Sequence, residues 1–305
     1  KEIWKTPPEE GGMYRQFIPA KLEDNFYLTD NDPEYRERVL AQGGNRAIAD
    51  LEGDWTITES PAFGEDVFDA NTHVIEPFDI PSSFVIDRGY DFGSTKPYAC
   101  LWFAEASGED VELEDGTLVT YPRGTIFVIG EVYGCSGEPD VGLRESSRTQ
   151  GRKIREYEEK MGWENIRCGP GDTQIFTKYR GGLAETIHDQ MVLGYNGYKE
   201  GEDARIGVLK TKELYVNAVK GPGSRVQGLE IMRAYMRAAL SEYKEDPSLY
   251  FFNTCGHTIR TLQEVEIDHE TGDLAEPAED HCIDVCRYRL LSKKRRYKPL
   301  ELKGI

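Results

Sequence analysis

Short runs of aromatic and β-branched residues punctuate the middle of the chain, each closed by Gly, Asp or Pro. Phe84–Gly93 (Phe-Val-Ile-Asp-Arg-Gly-Tyr-Asp-Phe-Gly) leads into Pro97–Ala106, and after an acidic stretch from Ser107 to Gly116 comes Thr125–Tyr133. Runs of this length and composition predict consecutive antiparallel strands, with the acidic stretch as a solvated turn. From Gln150 to Trp163 the period changes, placing Ile154, Tyr157 and Met161 on one face of a predicted helix. Ile166–Asp172 reads as a short strand ending in a tight Gly-Pro-Gly turn, and Leu183–Leu193 as a second helix. A third helix is predicted from Ser224, opened by a capping box in Ser224-Arg-Val-Gln and carrying Leu229, Met232, Met236, Ala239 and Tyr243. Leu249–Phe252 is a further strand and Pro277–Leu291 a last helix. Strands first, then strands alternating with helices, predict a mixed α/β sheet with helices over its faces.

Residues 1–75 have a different character. They are polar and punctuated by Pro and Gly, with one helical stretch in which Asp32 can cap and Pro33 occupies the first turn. Their apolar periodicity is too weak for a core of their own. The opening Lys1-Glu-Ile-Trp-Lys has neither an initiator Met nor an apolar signal core, so a piece of a longer polypeptide is expected. No apolar run approaches the roughly 20 residues a bilayer requires, which excludes a membrane span. Six cysteines without a Cys-x-x-Cys pair suggest buried, reduced thiols; His281, Cys282 and Cys286 would need a distant fourth ligand to hold zinc.

Charge complicates any contact with a polyanion. The 305 residues carry 55 acids and 37 bases, net −18, a balance that repels nucleic acid at long range. The excess is uneven: residues 1–80 hold 18 acids and 7 bases, and the remainder 37 and 30. Bases cluster most tightly in Ser292-Lys-Lys-Arg-Arg-Tyr-Lys298, so local binding of phosphate stays available.

The candidate chemistry lies in acids at strand ends and on the last helix. Asp91 stands between apolar strand residues and a glycine, Asp172 ends the Gly169-Pro-Gly turn, and Asp280, His281 and Asp284 share roughly one helix face. Converging carboxylates repel one another and call for divalent cations, and hard oxygen donors select Mg²⁺ or Mn²⁺. Taken singly, Asp91 fits a turn residue, Asp172 an Asx-turn, and Asp280 with His281 a helix cap. Gly-x-Ser-x-Gly is absent, which removes support for a serine hydrolase. A phosphate loop, Gly-x-x-x-x-Gly-Lys-Ser/Thr, is absent too, so no ATPase is expected of this chain alone.

Several segments resemble one family, the large subunit of tailed-phage terminases, in its C-terminal nuclease half. Phe17-Ile-Pro-Ala-Lys-Leu-Glu-Asp-Asn-Phe-Tyr-Leu, Tyr35 and Leu51-Glu-Gly-Asp-Trp are similar to the end of that motor's ATPase half. Arg88-Gly-Tyr-Asp-Phe-Gly-Ser-Thr-Lys-Pro-Tyr-Ala resembles the first nuclease motif. Arg225-Val-Gln-Gly-Leu with Asn253-Thr-Cys-Gly-His-Thr-Ile-Arg resembles the middle signature, and Glu279-Asp-His-Cys-Ile-Asp-Val-Cys-Arg-Tyr the last. One departure stands out: the family's second motif runs Asp-Pro and then a small residue, whereas Thr173 and Gln174 follow Asp172.

The resemblance implies a ribonuclease H-like α/β fold, a mixed sheet opening with antiparallel strands and flanked by helices. It divides the chain into 1–75, the end of the ATPase half with its linker, and 76–305, the nuclease domain with a basic tail. The implied activity is endonucleolytic cutting of concatemeric double-stranded DNA with two Mg²⁺ or Mn²⁺ ions. Asp91, Asp172 and Asp284 would be catalytic and, with His281 and Asp280, ligate metal. Lys210, Lys212, Lys220 and Arg225 are expected to meet DNA phosphates. Implied partners are duplex DNA, the capsid portal protein, the small terminase subunit and the upstream ATPase half, in the host cytoplasm. Two rival readings are a docking module with a vestigial site, using residues 1–80 and the basic tail, and a junction-resolving nuclease on the same fold.

Overall fold

The computed structural model describes residues 3–5, 14–16, 21–27, 32, 34–36, 60–113, 115–138, 140–177, 186–198 and 213–294. Lys210, Lys212, the side chains of the 293–298 run and most of the helix expected from Asp32 lie outside them. The chain divides into two compact units, Lys1–Pro61 and Ala62–Ile305. In the first, β1 (Ile3–Lys5) pairs antiparallel with β2 (Tyr14–Gln16), and a 3-10 turn spans Leu22–Asp24.

The second unit is built on seven strands. In chain order these are β3 (Val74–Ile75), β4 (Val85–Asp91), β5 (Ala99–Glu105), β8 (Ile126–Tyr133), β9 (Gly169–Gly171), β10 (Tyr215–Asn217) and β11 (Leu249–Phe252). A separate hairpin of β6 (Asp110–Glu112) and β7 (Leu118–Thr120) occupies the acidic stretch, which is therefore more than a turn. The helices are α1 (Ala70–His73), α2 (Ser147–Met161), α3 (Ile187–Tyr195), α4 (Ser224–Leu240), α5 (Gly256–Glu264) and α6 (His281–Lys294). The sheet order is β10-β9-β4-β5-β8-β11-β3. β4, β5 and β8 form the expected antiparallel meander, while the flanking pairs β4–β9, β9–β10, β8–β11 and β11–β3 are parallel. A three-stranded meander with parallel strands joined beside its first strand, here β9 and β10 next to β4, is the ribonuclease H-like arrangement, and β11 and β3 extend it on the other side.

Strand β4 is buried on both faces, and its alternation divides the molecule. Asp87, Gly89 and Asp91 point to α6: Asp87 accepts from Arg289 Nε at 2.6 Å, and a Cβ on Gly89 would lie 2.6 Å from Val285 Cγ1. Arg88 and Tyr90, one residue out of phase, point to α2, where they bond Glu158 and Gln150. Trp102 of β5 lies on this second face, its Nε1 donating to Glu158 at 2.9 Å and its indole stacked on Tyr157 at 4.6 Å. The core between these layers includes Leu101, Phe103, Ile129, Ile154, Phe251, Ile283 and Val285. Fully burying an aliphatic or Phe side chain of this kind contributes about 1.5–3 kcal/mol.

Several sequence expectations give way. α4 begins after Gly223, whose φ of 73° places it in the left-handed region, and its first turn has no side-chain cap; Ser224 Oγ instead accepts from Gly221 N. The expected capping box is absent because the chain enters the helix through that glycine. Tyr243 is beyond the end of α4 and exposed, and Met161, expected on the buried face of α2, is 41% exposed. Residues 62–75 pack with the larger unit through Phe63, Val67 and Phe68. All six cysteines are free thiols, and Cys100, Cys255, Cys282 and Cys286 are buried. No helix among the described residues is long and apolar enough to cross a membrane.

Glu158 balances the buried Arg88 guanidinium and also accepts from Trp102 and Tyr195. Glu158→Ala should therefore cost about 3–5 kcal/mol in urea unfolding, whereas Arg88→Met with Glu158→Leu should recover most of that loss. An equal loss in the double variant would show that shape, and not the stranded charge, sets the effect.

Candidate active site

Two neighbouring parallel strands deliver the first two carboxylates. Asp91 is the last residue of β4, and Asp172 follows β9 directly, its N–H donating to Tyr90 O at 2.9 Å. Both side chains thus leave the sheet together, at the carboxyl ends of parallel strands where α/β proteins place their ligands. Close packing holds this corner: a Cβ on Gly93 would lie 2.1 Å from Pro97 O, so only glycine lets the chain fold back beyond Asp91. Asp172 is also a cap, its Oδ1 accepting from Gln174 N at 2.8 Å at the head of the 3-10 turn Thr173–Phe176. Structural and chemical roles coexist in one residue.

The third group comes from α6, which packs across β4, β5 and β9. The helix starts at His281, later than the expected Pro277. Asp280 stands just before it, its carbonyl accepting the Asp284 N–H at 2.8 Å. His281 Nδ1 lies 3.0 Å from Asp91 Oδ2, and Nε2 lies 3.3 Å from Asp140 Oδ1. An imidazole facing carboxylates with both nitrogens donates from both only as the cation. Burial opposes that charge, yet the bond to Asp91 and the charges of Asp91, Asp280 and Asp284 raise the His281 pKa.

Tyr288 ties the strand to the helix. Its hydroxyl lies 3.2 Å from Asp91 Oδ1 and 3.1 Å from Asp284 Oδ2. Burial and the charges of Asp91, Asp284 and Asp172 push its pKa far up, so the hydroxyl stays protonated. One hydroxyl proton shared between two carboxylates makes each contact weak, and a carboxyl proton or a cation strengthens the pair. Burial likewise pushes Asp91 up, the bond from His281 opposes this, and the charges of Asp284 and Asp172 add to the rise.

Each expected acid has its own cationic partner. Asp91 faces His281, Asp172 Oδ1 accepts from Lys220 Nζ at 2.8 Å, Asp280 pairs with Arg225, and Asp284 accepts from Arg287 Nε at 2.9 Å. Lys220 also sits 5.1 Å above the Tyr288 ring. Arg225 reaches Asp273 at 3.1 Å and Glu276 at 3.4 Å as well. Two of the four bases expected on DNA are thus engaged with acids, while Lys210 and Lys212 lie outside the described residues. Among the described residues no three His, Cys, Asp or Glu side chains are gathered at ligand spacing around one point. The donors' chemistry nonetheless suits a hard divalent cation: buried carboxylate oxygens whose mutual repulsion is offset by side-chain cations.

Sequence reasoning passed over Tyr288 and Arg287, although both stand in the last motif at four and three residues beyond Asp284. It also missed Asp140, a loop residue with φ of 57° that pairs with Lys96; no local pattern marks it. Glu279 is held by Tyr133 at 2.7 Å and Arg260 at 2.6 Å, which anchors the chain entering α6.

The class defined by this layout is a ribonuclease H-like domain with carboxylates at two adjacent strand ends and on the covering helix. No protein-family model matches the chain, and no curated protein matches it in sequence. Among solved structures, it is similar to the large terminase nuclease domain of P22, at 15% identity over 78% of this chain and 94% of that one, with a TM-score of 0.48. A large terminase from a thermophilic bacteriophage, in complex with ADP, gives 13% identity over 88% of this chain and a TM-score of 0.46; the match spans 53% of that protein. The large terminase nuclease from thermophilic phage G20c with bound cobalt gives 8% identity over 79% of this chain and all of that one, with a TM-score of 0.41. Such identities leave each residue's role to be argued from this chain's own geometry.

Burial and the charge of Asp284, only partly offset by Arg225, push the Asp280 carboxyl up to about 6. A carboxyl raised on folding favours the folded state below its unfolded pKa and loses that contribution as pH rises through the folded value. Across that window Asp280 makes the metal-free protein less stable as its charge appears. Asp280→Asn should therefore raise the thermal midpoint at about pH 7.5 and leave it nearly unchanged near pH 3. A lower midpoint at the higher pH would mean that the ion pair with Arg225 outweighs burial.

Proposed function

We propose that the chain is a divalent-metal-dependent endonuclease acting on duplex DNA, the nuclease part of a phage DNA-packaging terminase. One observation carries the reading. Asp91, Asp172 and Asp284, far apart in sequence, come together around the end of β4, with Tyr288 bonded to Asp91 and Asp284 and the Asp91 carboxyl raised by the charges of the other two. Side-chain cations meet these acids one at a time, and a divalent cation is the counter-charge that would meet them together. Asp91 and Asp284 stand in the motifs that resemble the terminase nuclease half, and Asp172 at the place of the second motif, from whose pattern Thr173 and Gln174 depart.

Asp91, Asp172 and Asp284, with Asp280 and His281 beside them, would hold two Mg²⁺ or Mn²⁺ ions. Bound there, divalent cations supply Lewis acidity toward a phosphodiester and neutralise the charge that develops on it. The chain's own groups prepare that environment. Tyr288 fixes the relative orientation of Asp91 and Asp284, Arg287 holds Asp284 from the side, and His281 sits between Asp91 and Asp140. Lys220 must give up Oδ1 of Asp172 before that oxygen can ligate. In the packaging machine the portal protein, the small terminase subunit and the ATPase half of the same polypeptide are the proposed partners.

Supercoiled plasmid incubated with the protein and Mn²⁺ should be nicked and linearised, and Asp91→Ala should abolish this. Equal cutting by the variant would remove the assignment, and no cutting together with no Mn²⁺ uptake would leave a docking role. Calorimetry gives a second test, in which Lys220→Met should bind Mn²⁺ more tightly than the parent because a competing cation is gone. Weaker binding would make Lys220 a support of the site and not its occupant.

A further inference from the structure

His281 opens α6, and the first residue of a helix is where the chain is least restrained. Its ring is nevertheless held from both sides: Asp91 Oδ2 stands 3.0 Å from Nδ1, and Asp140 Oδ1 3.3 Å from Nε2. These two carboxylates come from interlocked pieces of chain. Asp91 ends β4 and runs on into residues 93–98, while Asp140 belongs to the connection from β8 to α2, which lies directly on that segment. Gly134 N donates to Tyr98 O at 2.8 Å, Gly142 N to Thr95 O at 2.8 Å and Arg144 N to Ser94 O at 2.9 Å. A Cβ on Gly142 would lie 2.3 Å from Lys96 O and 2.4 Å from Ser94 O, so the two segments meet backbone to backbone. Within the connection, Ser136 N donates to Val141 O at 2.8 Å and Leu143 N to Gly134 O at 3.0 Å, which closes the turn that carries Asp140. Asp140 takes a left-handed backbone, φ 57°, which Asp and Asn tolerate better than other side chains. Its second oxygen binds Lys96, an exposed residue of the 93–98 segment. Together these contacts fix the direction from which Oδ1 meets the imidazole.

We infer that Asp140 is a positioning residue of the candidate site, holding His281 by Nε2 so that the Nδ1 edge is turned to Asp91. The inference rests on the metal-site reading for what that edge serves, and it adds a residue from outside the motifs that carry the resemblance. Paired with Lys96, the Asp140 carboxylate only accepts, so Nε2 faces it as the donor. An imidazole that meets a metal through one nitrogen is oriented by a carboxylate or carbonyl on the other, and loss of that partner lowers metal affinity about 10–100-fold. An ion pair with an exposed lysine adds little to stability, so the Lys96 contact is better understood as aiming Asp140 than as bracing the fold.

Two substitutions separate the carboxylate from the turn that bears it. Asp140→Gly removes the acceptor and takes the left-handed backbone without strain, whereas Asp140→Asn keeps that backbone and an accepting oxygen. Imidazole nitrogen NMR spectra of the whole metal-free chain read the ring directly, with His281 assigned by its loss in His281→Gln. The hydrogen-bonded Nε2–H resonance should persist in Asp140→Asn and vanish in Asp140→Gly. The other four histidines should stay in place in both variants. Calorimetry with Mn²⁺ reads the consequence. Asp140→Gly should weaken binding about tenfold or more, and Asp140→Asn should restore most of that loss. Asp140→Gly combined with His281→Gln should lose no more than His281→Gln alone, because one residue acts through the other. Losses that add in the double variant would show Asp140 acting apart from His281 and overturn the inference. An unchanged His281 resonance in Asp140→Gly, or movement of all five histidines, would overturn it too, the latter by making Asp140 a support of the fold at large. If the parent chain takes up no Mn²⁺ the metal reading goes, and the metal-free spectra alone decide whether Asp140 orients His281.

Discussion

Repulsion among carboxylates in a corner that excludes water is the constraint around which the larger unit is arranged. An ionised group taken from water into a protein interior costs several kcal/mol unless a partner meets it. Here the partners come from α6 and from the chain at the start of α4. α6 alone supplies His281, Arg287 and Arg289, and it does so while Cys282, Ile283, Val285, Cys286, Tyr288 and Leu290 are buried around it. A helix enclosed on most sides has no solvated face on which to park a charge. Its arginines are therefore committed to Asp284, Asp87 and Glu105, and the helix is locked to the sheet by ions as well as by apolar contact.

Strand β4 passes this order to the opposite face. Its odd residues serve the acidic corner and its even residues a second polar network, in which Arg88, Glu158, Trp102 and Tyr195 satisfy one another away from water. Such a network is costly if any member is lost and gives the strand little freedom to shift. A slip of one residue would carry Arg88 into the carboxylates' side and Asp91 toward Glu158. Register and chemistry are therefore set by the same seven residues.

Much of this was legible in the sequence, and the gaps have physical reasons. The three aromatic runs announced the meander because a strand buried on both faces shows as a continuous apolar run between turn residues. Asp91 and Asp172 stood out as acids in apolar or glycine-rich surroundings, and Asp284 and His281 through a recognisable motif. What the sequence could not display was pairing. Lys220 and Arg225 look like free bases until the fold places Asp172 and Asp280 against them. Asp140 has no pattern of its own, since a loop residue acquires meaning only from what the loop folds onto. The failed capping box at Ser224 follows from the preceding glycine, whose left-handed turn changes how the chain enters the helix. Short elements such as β3 and α1 carry too few residues for any periodicity to register.

The contact between β4 and α6 also bears on when the candidate site assembles during synthesis. Asp91 and His281 are separated by 190 positions, and Asp91 and Tyr288 by 197. Until residues 281–288 have left the ribosome and docked, Asp91 has neither His281 nor Tyr288 against it. Contacts of such sequence separation form late, because a long loop must close before they contribute anything. The order of the segments thus works as a timing device, completing the candidate site only after the sheet that contains it has been made.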